Sequence, residues 1–272
     1  MDFRHVLAII AVSFALIASH LDNAEAARFA NGEFLVQTEW LSEHLNDPGI
    51  RILDARRPAD YEQGHIPNAI HPDRKEITAI VNGVRGMLAP VKEVERILGL
   101  KGIDNQSRVV IYDNTTGTSA ARVFWILDYL GHKNMSVLNG GWAKWIREGR
   151  GITRKTPEME DRIYKANPNP FKLVTGTWIL KNLHKPDMVI LDVRSRGEFT
   201  GELARSARGG HIPGIHLEWK NNLTREGTIK EAKELRNMYY KAQVKKGKLI
   251  VVYCQSGRRA AQTYFVLRLL GN

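Results

Sequence analysis

One pattern of residues runs through this chain twice in the same order, and a chain so built is expected to fold as two similar halves. In the first half, Arg51-Ile52-Leu53-Asp54-Ala55-Arg56-Arg57 leads through Tyr61 to Gly64-His65-Ile66-Pro67. In the second, Val189-Ile190-Leu191-Asp192-Val193-Arg194-Ser195 leads through Phe199 to Gly210-His211-Ile212-Pro213, after an insertion over roughly Thr200 to Gly209. Val109-Val110-Ile111-Tyr112-Asp113 then matches Ile250-Val251-Val252-Tyr253-Cys254. Behind each comes a helix-like stretch ending in Leu-Gly, Ala120 to Gly131 and Ala260 to Gly271. Four blocks in one order, roughly 140 residues apart, are the mark of a tandem duplication rather than of short solenoid repeats.

Each copy alternates short apolar runs with amphipathic stretches. Arg51–Leu53, Val109–Ile111, Val189–Leu191 and Leu249–Val252 read as buried parallel strands. Thr38 to Leu45, Val91 to Leu98 (closed by Gly99) and Glu231 to Val244 read as helices. The expected fold is α/β, with two tandem domains, each a mostly parallel sheet with helices on both faces. The boundaries read as 27–150 for the first domain, 151–170 for a charged, proline-bearing linker and 171–272 for the second. The first copy continues past Gly131 with a further strand and a Trp-bearing helix start, His132 to Trp145, whereas the second reaches Asn272 just after its own Leu270-Gly271. By this internal comparison the second copy lacks roughly 15–20 residues and is expected to be truncated, with apolar surface uncovered and activity reduced.

Residues 1–26 differ from the rest. A basic start with Arg4, an apolar run from Val6 to Ala18 and a small-x-small Ala24-Glu25-Ala26 read as a signal peptide cleaved near Ala26. The run is shorter than the roughly 20 residues a bilayer core requires. The expectation is an exported protein, periplasmic or secreted, a monomer without stable membrane association. The whole chain has 40 basic and 29 acidic residues; without residues 1–26, which hold one base and three acids, 39 face 26. The bases are scattered outside any nucleic-acid motif, so no nucleic-acid partner is expected, and the charge suits a small anionic substrate. No spacing suits a metal, and none is expected, nor any other cofactor.

A single cysteine, Cys254, excludes an intramolecular disulfide framework. It directly follows an apolar strand and precedes Gln255-Ser256-Gly257-Arg258-Arg259, after which a helix opens. Ligands of open α/β sheets bind beyond the carboxyl ends of strands. A tight loop before a helix aims N–H groups inward, and with Arg258 and Arg259 this favours a thiolate and any anion attached to it. Gly257 permits the turn. His65 and His211 occur in both copies and read as structural; Asp192 and Arg194, recurring as Asp54 and Arg56, read chiefly as loop support by ion pairing.

The tandem halves, Leu-Asp-x-Arg, Gly-His-Ile-Pro and Cys-x-x-Gly-x-Arg resemble the rhodanese-like sulfurtransferases of the two-domain thiosulfate/3-mercaptopyruvate type, from about Phe34 to Gly271. The resemblance implies a thiosulfate sulfurtransferase in which Cys254 is the nucleophile that carries sulfur as a persulfide. Sulfur would pass from a small anionic donor such as thiosulfate to a thiophilic acceptor such as cyanide or a thiol. Gln255 to Arg259 would form the cradle. Asp113 stands opposite Cys254 and cannot accept sulfur, so the first domain is expected to be a structural partner that helps wall the cleft. Members of the family carry a basic residue near Glu198, and some carry another at Ser256. Here Arg258, Arg259 and Arg194 would have to supply the charge. Two alternatives stand beside this reading: a non-catalytic sulfur carrier or binding module, and a cysteine-dependent phosphatase or arsenate reductase. The latter needs Arg six positions after Cys, whereas Arg259 is five positions after Cys254.

Overall fold

Runs rich in β-branched residues, alternating with helices, form two mainly parallel sheets. The computed structural model describes residues 28–272 apart from Asn82, Thr116, Ser206, Ala207 and Lys246; the expected signal peptide lies outside the described residues. The first half contains β1 (Leu35–Val36), α1 (Thr38–Glu43), β2 (Ile50–Asp54), α2 (Pro58–Gln63), β3 (Ala69–Ile70) and the single turn α3 (Arg74–Ile77). An antiparallel hairpin of β4 (Thr78–Val81) and β5 (Val84–Leu88) follows. Then come α4 (Val91–Leu100), β6 (Arg108–Tyr112), α5 (Thr118–Tyr129), β7 (Met135–Leu138) and α6 (Gly141–Arg147). Its sheet has the parallel order β1-β7-β6-β2-β3.

The second half contains α7 (Gly176–Asn182), β8 (Met188–Asp192), α8 (Arg196–Thr200), β9 (Ile215–His216), α9 (Ala232–Lys241), β10 (Leu249–Tyr253) and α10 (Arg258–Leu269). Its parallel sheet is ordered β10-β8-β9. Asp54 lies opposite Tyr112 in the first sheet, as Asp192 does opposite Tyr253 in the second. Among the described residues the second half shows no counterpart of β7. β6 is buried from Val109 to Tyr112, whereas only Val251 is fully buried in β10. A groove of about 270 Å³ runs along β10 and is also lined by Leu173 and Val174, the counterparts of Leu35 and Val36.

The two halves meet through α5 and α10, the matching helices of the duplication. Phe124 and Phe265 pack edge to face with centroids 4.9 Å apart. Buried Asp128 of α5 takes Arg268 Nε at 3.3 Å and the Tyr264 hydroxyl at 2.5 Å, both from α10. Residues 151–169 cross the surface of the first half, pinned by Arg162 N to Gly99 O (3.0 Å) and Asn167 N to Leu130 O (2.8 Å). This pinning corrects the reading of Gly99. It lies inside α4 rather than closing it, and a Cβ there would sit 2.3 Å from the Arg162 carbonyl. Gly99 permits the close approach of the connecting chain, and Gly102, at φ +68°, takes the left-handed turn just beyond the helix.

Candidate functional site

β10 delivers Cys254 to the carboxyl edge of the second sheet, and Gly257 turns the chain into α10 with φ +80°. The half-buried thiol accepts the Ala260 N–H at 3.4 Å, so the first turn of α10 points a donor at sulfur. Arg259 also lies within electrostatic reach of Cys254. Gln255 Nε2 donates to Arg205 O at 3.0 Å, placing part of the second-half insertion beside the loop. Ser256 is exposed, and its carbonyl approaches Gly86 of the first-half hairpin, where a Cβ would be 3.1 Å away.

The duplication supplies an internal control for this cradle. In the first half Gly117, φ +70°, opens α5 as Gly257 opens α10. Asp113, at the position of Cys254, accepts the N–H groups of Gly117 (2.9 Å), Ser119 (2.7 Å) and Ala120 (3.2 Å). Ala120 occupies the place of Ala260 once the extra loop residue is counted. Burial pushes the Asp113 carboxyl upward, and the three amides act against that rise. The first loop is thus an anion cradle filled by its own carboxylate. The second offers its cradle to a sulfur.

The arginines have distinct engagements. Arg259 grips Glu198 through two nitrogens, at 2.6 and 2.9 Å. Glu198 is 2% exposed. It also accepts the Ser195 hydroxyl at 2.9 Å and lies 3.4 Å from Arg205 Nε. Arg259 first, and then Ser195, hold Glu198 well down, at about 2. Arg258 crosses to the first half and donates to the Ser119 hydroxyl. Arg194 binds Asp192 at 2.6 Å and donates to Gly210 O at 2.8 Å, while Tyr253 donates to the same carboxylate at 2.6 Å. Arg56, Asp54, Gly64 and Tyr112 repeat that arrangement beside the cysteine-free loop. The shared geometry makes the Asp192–Arg194 pair a brace for the loop between β8 and α8. His65 and His211 stack on Tyr61 and Phe199, with centroids 3.8 and 3.7 Å apart, and hydrogen-bond to the carbonyls of those residues.

The rhodanese-like domain model matches residues 37–148 and again 175–272. The chain belongs to the rhodanese-like family. Among this rhodanese-like chain's relatives is the sulfur carrier protein TtuD of Thermus thermophilus, 34% identical, with 89% of each chain covered. Bovine thiosulfate sulfurtransferase is 32% identical, covering 87% of this chain and 86% of its own. The 3-mercaptopyruvate sulfurtransferase of Escherichia coli is 30% identical, with 87% and 89% covered. The crystal structure of SseA from Escherichia coli, a 3-mercaptopyruvate sulfotransferase of rhodanese fold, superposes with a TM-score of 0.79 at 29% identity. That match covers 87% of this chain and 94% of the other.

Against this family background, the surroundings of the loop after Cys254 include groups that the motif does not contain. Arg205 comes from the insertion, and Thr78, Arg85, Gly86 and Arg122 come from the first half. The unequal repeat lengths mark the insertion in the sequence. Nothing in the spacing of Thr78, Arg85 or Arg122 places them beside a loop more than 130 residues away.

Proposed function

We propose that this protein is a sulfurtransferase that carries sulfane sulfur on Cys254, with thiosulfate as donor. The observation that carries the reading is the contrast between two matching loops, one filled by the Asp113 carboxylate and one presenting Cys254 with an amide aimed at its sulfur. In the first half-reaction the Cys254 thiolate attacks the outer sulfur of thiosulfate. The new bond joins Sγ to that sulfur, the donor's sulfur–sulfur bond breaks, and sulfite leaves with the electron pair. The charge left on the terminal sulfur lies within the cradle, where N–H dipoles and the helix N-terminus favour it. In the second, an acceptor such as cyanide attacks the terminal sulfur, thiocyanate departs, and the thiolate is regenerated. Both half-reactions conserve charge and need no outside oxidant.

Likeness to the sulfur carrier protein of Thermus supports a second reading, in which this chain carries the persulfide sulfur without turning over a small acceptor. Intact mass separates the readings. After thiosulfate treatment the wild-type chain should gain one sulfur atom that cyanide removes, and Cys254→Ser should gain none. A persulfide that forms but resists every small acceptor would favour the carrier reading. An unmodified wild-type chain would overturn both, and turnover of an aryl phosphate in a parallel assay would point to the phosphatase class instead. Residues 1–26 further support an exported protein with a mature chain starting at Ala27, which N-terminal sequencing from the host tests.

A further inference from the structure

Between the first-half hairpin and the Cys254 loop lies a cleft of about 80 Å³, lined by Thr78, Arg85, Gly86, Arg122, Ser256 and Arg258. Four of the six come from the half that has no cysteine. The lining combines three guanidiniums with two hydroxyl side chains and has no carboxylate. Arg122 is its buried member, 9% exposed. Its Nη2 donates to Gly86 O at 2.7 Å and its guanidinium lies 4.3 Å over the Trp125 ring. Its Nε is buried without a hydrogen-bond partner. A Cβ on Gly257 would stand 2.9 Å from Arg122 Nη1, so this guanidinium rests directly on the turn that follows Cys254.

Charge balance singles out the same residue. The charge of Arg259 is matched by Glu198 and that of Arg194 by Asp192. Among the described residues Arg122 makes no ion pair. Burial pulls its pKa down to about 10, and its electrostatic interaction with Cys254 acts in the opposite direction. It therefore remains a cation at neutral pH, in a setting where a lone charge is costly unless an anion answers it. The duplication gives a comparison. Position 122 on α5 matches Gln262 on α10, and Gln262 lines the corresponding space beside Asp113. The loop already filled by a carboxylate is faced by a neutral amide, while the loop presenting a thiol is faced by a guanidinium.

We infer that the cysteine-free half supplies the oxyanion subsite of the donor, with Arg122, Arg85 and Arg258 holding the sulfonate end of thiosulfate while its outer sulfur meets Cys254. This rests on the sulfur-transfer reading above and assigns a substrate-binding task to residues outside the cysteine loop. The leaving sulfite carries two negative charges, so cations placed here favour departure as well as binding.

The test is calorimetric titration of full-length Cys254→Ser with thiosulfate, which reads binding without turnover. Adding Arg122→Gln should raise the thiosulfate Kd about tenfold or more, the size expected for a lost charge-assisted hydrogen bond. Arg122→Lys should recover part of the loss, since it keeps the charge without the planar fork. Arg85→Gln sits on the exposed hairpin, where folding is not at stake, and should raise Kd about threefold. With Cys254 present, the same substitutions should raise KM for thiosulfate more than they lower kcat. The inference is overturned if Arg85→Gln and a folded Arg122 variant bind thiosulfate within twofold of their parent, or if the parent binds none. Wild-type protein that binds thiosulfate but takes no sulfur from it would sink the sulfur-transfer reading and leave the subsite standing.

Discussion

Replacing Glu198 with Gln tests whether the most constrained ion pair at the site stabilises the fold and steadies the thiol's neighbour. A carboxyl held at about 2 rather than at the usual 4.5 contributes about 3 kcal/mol at neutral pH. The folded-state value is depressed, so this stability is present above the unfolded value and is lost as pH falls towards 2. By linkage about 1 kcal/mol is gone by pH 4 and about 2 kcal/mol by pH 3. Gln retains the shape and one acceptor but cannot ionise. Urea unfolding should therefore show Glu198→Gln weaker than wild type by about 3 kcal/mol at pH 7, a deficit that shrinks to about 1–2 kcal/mol near pH 3. Arg259 lies within electrostatic reach of Cys254, so freeing its guanidinium should slow persulfide formation by about tenfold, read by stopped-flow mass or colorimetric assay. A deficit that is the same at pH 7 and pH 3, or below about 0.5 kcal/mol at pH 7, would refute the reasoning.

Two further substitutions examine the duplicated framework. Asp113→Ala removes the acceptor of three amides in the first loop and should cost about 2–4 kcal/mol in chemical unfolding, since each unanswered buried donor costs about 1–3 kcal/mol before water or relaxation compensates. Arg56→Met and Arg194→Met each strand a carboxylate that is at most 1% exposed, and should destabilise by about 3–5 kcal/mol. Arg56 is the more enclosed, at 4% exposed against 16%, so its loss should be the larger when both are measured by thermal or urea unfolding.

Much of this molecule was legible because duplication writes its own alignment. The strands around Leu53, Ile111, Leu191 and Val251 stand where apolar runs predict them, in parallel sheets of matching register. The strand and Trp-bearing helix expected after Gly131 are β7 and α6. Gly99 misled because a glycine after a run of helix formers signals a helix end, while the close approach that requires it here comes from a segment more than 60 residues away. The hairpin of β4 and β5 escaped for a similar reason. Its strands are half exposed, so they lack the continuous apolar run that marks a buried parallel strand.

The site divides along the same line. Local chemistry placed Cys254 at a strand end before a glycine turn, and the structure puts an amide on its sulfur. What local chemistry could not place is the charge around it, because charge is settled by partners that the fold brings from elsewhere. Glu198 stands in the sequence where relatives are expected to carry a base, yet in the fold it holds Arg259 by two hydrogen bonds and matches its charge. Arg122 reads as one polar residue in a helix, yet it ends against the turn after Cys254 without a carboxylate partner among the described residues. The two loops share one backbone design and differ in what fills them and what faces them. Asp113 shares a cavity with Gln262, whereas the turn after Cys254 is faced by Arg122. The helices that join the halves carry each copy's side chains to the other's loop, Arg122 of α5 to the turn after Cys254 and Gln262 of α10 to the space beside Asp113.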